Sequence, residues 1–83
     1  MIEKKIEEIL DGVLKEKEIW IDSIKYEKEG NNNFLHIVVD RNESIDVDTI
    51  VEITKIINPI LDDADIIKDS YILDVSSKEK GVL

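Results

Sequence analysis

The chain has 83 residues, 42% apolar and 37% charged, with no Cys, which provides for one domain with one thin core and excludes disulfides, Cys-ligated zinc and thiol catalysis. Eleven basic residues stand against twenty acidic ones, a net charge of −9 with the single His neutral. Phosphate affinity rests on Lys and Arg neutralising a backbone, so independent nucleic-acid binding is not expected, while the charge is compatible with a basic protein, alone or within a ribonucleoprotein, as partner.

Residues 2–16 place Ile2, Ile6, Ile9, Leu10, Val13 and Leu14 at helical spacing among charged residues, which predicts an amphipathic helix. Gly12 inside it costs about 1 kcal/mol relative to Ala, so this helix depends on tertiary packing. Interleaved charge also makes this stretch unlike a signal peptide. No apolar run approaches the ~20 residues of a membrane span. A soluble, cytoplasmic protein with no membrane partner is expected.

Ile19–Tyr26 is rich in β-branched and aromatic residues and predicts a strand. Ile19-Trp20-Ile21 is apolar on both sides, so its register stays open. Gly30-Asn31-Asn32-Asn33 predicts a turn, because these residues tolerate positive φ. Phe34–Asp40 is the second strand of the resulting hairpin. Leu35, Ile37 and Val39 share one face of it, and His36, Val38 and Asp40 share the other.

A second helix is expected over roughly 47–61. Asp46 has the character of an N-cap, and Ile45 and Ile50 have the spacing of a hydrophobic staple. Ile50, Ile53, Ile57, Ile60 and Leu61 form its apolar stripe, and Pro59 predicts a kink or an early end near Ile57. An acidic connection over 62–70 leads to a third strand, Tyr71–Ser76, with Tyr71, Leu73 and Val75 on one face.

The element order α-β-β-α-β with two single-stripe helices implies an α+β fold, a two-layer α/β sandwich in which two helices cover one face of a three-stranded sheet. The domain spans residues 1–77, and 78–83 form a tail or the start of a linker. The third strand can lie beside the first or the second. The uncovered sheet face should be wet, carrying His36, Val38 and Asp40 from the second strand and Ile72, Asp74 and Ser76 from the third.

Catalytic and metal patterns fail on physical grounds. His36, Asp74 and Ser76 on one face suggest a hydrolytic triad, but a flat strand surface lacks a buried orienting carboxylate, a strained nucleophile turn and an oxyanion hole. Asp46-Val47-Asp48 and Asp62-Asp63-Ala64-Asp65 offer oxygen ligands without the mid-loop Gly and terminal Glu of an EF-hand. Helix capping and a solvated connection account for them. The element order is similar to that of a bacterial-type KH module, yet Gly12, Gly30 and Gly81 are the only glycines, so the Gly-x-x-Gly clamp on RNA cannot form. Trp20, Tyr26, Phe34 and Tyr71 read as packing residues, since no basic groove accompanies them. No cofactor is expected.

Charge is distributed unevenly. Residues 40–74 hold ten acidic and three basic residues, so most of the net charge lies in the second helix, its flanks and the third strand. Such a surface either solubilises the domain or steers a basic partner toward it.

Tyr71-Ile72-Leu73-Asp74-Val75-Ser76-Ser77 resembles the Tyr-x-Leu-Glu-Val-Ser-Ser signature that closes the N-terminal domain of the ribosome maturation factor RimP family. Ile24-Lys25-Tyr26 and Lys28-Glu29-Gly30 are similar to that family's Val-Glu-Tyr and Lys-Glu-Gly. Leu35-His36-Ile37-Val38-Val39-Asp40 resembles its Leu-Arg-Val-Tyr-Ile-Asp. Asp46-Val47-Asp48, Glu52-Ile53-Thr54-Lys55 and Leu61-Asp62 resemble its second helix, so that the likeness covers about residues 10–77. The family continues with Pro-Gly-Leu-Asp-Arg-Pro where this chain has Lys78-Glu79-Lys80-Gly81. It also carries a further SH3-like barrel, so the chain is expected to be either a fragment or a divergent single-domain relative. No role of that linker or barrel is carried over.

The resemblance implies a non-enzymatic factor that binds the immature small ribosomal subunit, with a basic ribosomal protein, and rRNA in the assembled particle, as partners. Asp40, Asp74, Ser76 and Ser77, on or beside the open face, are the candidate partner-binding residues, and a monomer is expected. The alternative is an acidic protein-interaction or dimerisation module unrelated to ribosomes, using the open face or an edge strand.

Overall fold

The computed structural model describes residues 2–78. Helix α1 (Ile2–Lys15) is followed by strands β1 (Trp20–Glu29) and β2 (Asn32–Asp40), helix α2 (Val47–Ala64) and strand β3 (Ile72–Ser77). The sheet order is β1-β2-β3, antiparallel between β1 and β2 and parallel between β2 and β3. The third strand therefore lies beside the second, and the middle of the sheet falls to β2. Parallel neighbours need a crossover element, and α2 supplies it.

Being central, β2 has neighbours on both sides and helices above. Leu35, Ile37 and Val39 are accordingly sealed, each with no exposed surface. They meet Ile6, Leu10 and Leu14 from α1 and Ile53, Ile57 and Leu61 from α2 in one core. Helix α1 packs over β1, α2 packs over β3, and the helices touch each other. The α1 stripe is narrower than its apolar composition: Ile9 sits off the buried line and is more than one-third exposed.

Local chemistry sets the element ends. The loop after α1 is a Schellman closure: Ile19 N–H donates to the Leu14 carbonyl at 3.0 Å and Glu18 N–H to that of Lys15 at 2.9 Å. This places Glu18 at φ 60°, a left-handed position that usually takes Gly. The hairpin turn is shorter than the Gly30–Asn33 stretch expected, since Glu29 pairs directly with Asn32. Gly30, at φ 65°, provides the positive first central angle.

The Asp46 carboxylate accepts the Thr49 N–H at 2.8 Å and caps α2. Ile45 and Ile50 both pack on the core, as the staple requires. Pro59 does not end this helix. It lies on the solvent side, where water can satisfy the carbonyl its missing N–H leaves free, and α2 runs on to Ala64. There Asp65 turns left-handed (φ 50°) with its N–H on the Leu61 carbonyl at 3.0 Å. Strand β1 carries a bulge between Ile21 and Ser23. That irregularity explains why its sequence shows no clean alternation. Glu3 reaches over from α1 to accept the Tyr26 N–H of this edge strand.

Lys78, the first residue of the expected tail, still contacts the sheet. Lys78 N–H donates to the Val39 carbonyl at 2.8 Å, and its Nζ lies 3.3 Å from Asp22. The rest of the expected tail, 79–83, lies outside the described residues. Among the described residues no helix is long and apolar enough to cross a membrane.

Candidate functional site

With both helices on one side, the other face of the sheet is open. Its side chains follow from register. Lys25 is paired with His36, Glu27 with Phe34, His36 with Asp74, and Val38 with Ser76. Val38 is half-buried and Ile72 remains 46% exposed, so the expected wet face is present.

His36 stands at its centre, gathering acids from both flanking strands. Its Nδ1 lies 2.9 Å from Asp74 Oδ2 on β3. Its Nε2 lies 3.2 Å from Glu29 Oε2 and 3.4 Å from Glu27 Oε1, both on β1. Lys25 Nζ approaches the other Glu27 oxygen at 3.2 Å. The Phe34 ring stacks on the imidazole, with centroids 5.6 Å apart and planes 7° from parallel. The hydrogen bonds to Asp74 and then Glu29 hold the imidazole pKa above its ordinary 6.5, assisted by the Asp74 and Glu27 charges and opposed by slight desolvation.

The candidate residues separate into two groups. Asp74 and Ser76 lie together on the open face, both exposed. Ser77 points the opposite way, to the helix-covered side beside Val39, and is half-buried. Asp40 was expected on the open face but is only 8% exposed. Its carboxylate accepts the Arg41 N–H at 2.8 Å, and Arg41 in turn donates from Nε and Nη2 to the Ser44 carbonyl at 3.1 and 2.7 Å. Asp40 therefore organises the connection into α2.

Glu27 and Glu29 are the residues that sequence reasoning missed. The signal was present: both alternate with Lys28 on a strand whose same-face partners include His36. The open register of β1 concealed it. The triad idea also has an outcome. His36 and Asp74 do meet, but both ring nitrogens face carboxylates, so neither is aimed at Ser76 to take its proton.

A separate groove of about 430 Å³ lies between the end of α2 and the start of β3, lined by Thr54, Asn58, Asp62, Tyr71 and Leu73 among others. Desolvation, and then the Asp62 charge, push the Tyr71 phenol above 10.

The family model described as the RimP N-terminal domain matches residues 5–78. That span takes in all of α2 and the three strands and α1 from its fourth residue on, including the Tyr71–Ser77 stretch on which Asp74 and Ser76 lie.

Proposed function

The chain belongs to the RimP N-terminal domain family, a ribosome maturation factor domain associated with the small ribosomal subunit, and we propose that it docks on the immature subunit through its open sheet face. The observation that carries this reading is the match over residues 5–78. Glu27, Glu29 and Asp74 add a physical argument, since the two outer strands bring their carboxylates to one surface around His36 on the middle strand. A surface of that sign favours encounter with a basic ribosomal protein over encounter with naked rRNA. Asp74 and Ser76 are the proposed contacts, with Ser77 and Asp40 shaping the strand ends beside them. The domain acts as a cytoplasmic, monomeric binding module and performs no chemistry of its own.

Co-sedimentation with immature small-subunit particles tests this. Asp74→Lys reverses a charge on a side chain 55% exposed, so the fold is expected to survive, as circular dichroism will verify. Retention should drop severalfold relative to the parent chain and weaken further as salt rises. Glu7→Lys makes the same net-charge change on the helix layer and should leave retention unchanged. Equal retention of the parent chain and Asp74→Lys would remove the open face as the docking surface. A concentration-dependent dimer in sedimentation velocity that buries His36, Val38 and Ile72 would instead favour the dimerisation module.

A further inference from the structure

We propose that Glu27, Glu29 and His36 form a binding site for a first-row divalent transition ion of the zinc type, with Asp74 orienting the imidazole from behind. Three potential ligand atoms, one from each residue, lie within 4.8 Å of one another. Two of the separations are close to what the ion demands. Zinc bonds of about 2.0–2.1 Å in tetrahedral array set ligand atoms roughly 3.3 Å apart, and Nε2 lies 3.2 Å from Glu29 and 3.4 Å from Glu27. The fourth position faces solvent and accepts water.

The arrangement behind the imidazole is a separate observation. A metal-bound His ordinarily donates its other N–H to a carboxylate, which fixes the tautomer and raises ligand basicity. Asp74 Oδ2 stands 2.9 Å from Nδ1 in that role. Phe34, stacked nearly parallel, limits ring rotation. Nε2 faces two carboxylates, a place for one positive centre, held by the imidazole's own proton in the metal-free chain and by the ion that displaces it. Lys25 does not fill that place, because it engages the outer oxygen of Glu27. One nitrogen and two oxygens select zinc, cobalt or nickel over calcium and magnesium, which take oxygen sets. This site is distinct from the acidic connection over 62–65, which has no nitrogen ligand.

The test is calorimetric titration of zinc chloride into the tag-free 83-residue chain, so it does not depend on ribosome binding. One equivalent should bind saturably in the micromolar range. His36→Asn and Glu29→Gln should each weaken binding by about tenfold or more, and Asp74→Asn by about 10–100-fold with stoichiometry unchanged. His36 is the only His in the chain, so its ring nitrogens are uniquely assigned by NMR: zinc should shift Nε2 strongly while Nδ1 keeps its proton. Retained affinity in folded His36→Asn, or no saturable binding below about 1 mM, would overturn the proposal. So would a zinc-induced shift centred on Asp62, Asp63 and Asp65.

Discussion

Ile37 and Val38 are neighbours on one strand, and replacing each by Ala tests whether the sheet has one sealed and one open face. Ile37 has no exposed surface and sits between Ile24 on β1 and Val75 on β3. Truncation to Ala removes three carbon groups, at about 0.8 kcal/mol each in transfer terms. A cavity term follows because the facing helices relax only in part, giving about 3–4 kcal/mol in all. An 83-residue domain has roughly 4–12 kcal/mol in total, so Ile37→Ala should surrender a large share of it. Val38→Ala removes two carbons from a half-exposed position and should lose less than about 1 kcal/mol. Urea unfolding followed by circular dichroism reads both, with a common m-value confirming that unfolding exposes similar surface. Comparable losses in the two variants would refute the division of the sheet into covered and open faces.

Three further outcomes follow from local geometry. Gly12→Ala should stabilise the chain by about 0.5–1 kcal/mol, because a Cβ there meets nothing within 4 Å; thermal unfolding will detect it, and a lowered Tm would contradict the open environment of that helix position. Glu18→Gly should raise stability by about 0.5–1 kcal/mol, the left-handed penalty less the added chain entropy, since Glu18 holds φ 60° in an exposed turn. Asp46→Ala should lower Tm at neutral pH, with the difference from the parent chain closing in acid. The hydrogen bonds from Thr49 hold the Asp46 pKa below 3.8, so its contribution is complete above that value and is lost as pH falls through the depressed folded pKa. A difference that widened in acid would reverse the sign and the assignment.

Much of the layer architecture was legible because it follows from periodicity. The i, i+2 alternation of Leu35, Ile37 and Val39 and the stripe of Ile53, Ile57 and Leu61 each identify a buried face without reference to neighbours. What escaped was information held between elements. The bulge at Asp22 shifts register within β1, so Glu27 and Glu29 could not be assigned to the His36 side until pairing was known. Asp40 obeys the alternation that would expose it, yet it is buried with its carboxylate on the Arg41 N–H; strand parity describes a sheet interior better than its end. Pro59 misled for the opposite reason. Its helix-breaking tendency is local, while the core contacts of Ile57 and Leu61 on either side hold the helix together. The resemblance in Tyr71–Ser77 was readable because it joins an alternating strand to a terminal Ser pair. Alternation alone would not have distinguished Ser76 from Ser77 as the outward residue.

The open face poses an electrostatic problem that its single His resolves. Glu27, Glu29 and Asp74 come from the two outer strands and converge on the middle one, where like charges in cross-strand proximity oppose pairing. Among the described residues no Lys or Arg stands at their centre, since Lys25 reaches only the outer oxygen of Glu27. A permanently charged side chain at position 36 would offset one of the three carboxylate charges at every pH. An imidazole offsets one only while it carries a proton, and otherwise leaves a more anionic, nitrogen-bearing pocket. The same three carboxylates can therefore support the sheet and present a cation-seeking surface, whether the incoming charge belongs to a basic protein segment or to a metal ion. Under the proposed docking and the proposed metal site alike, the protonation of His36 sets the charge of that face where the three carboxylates meet.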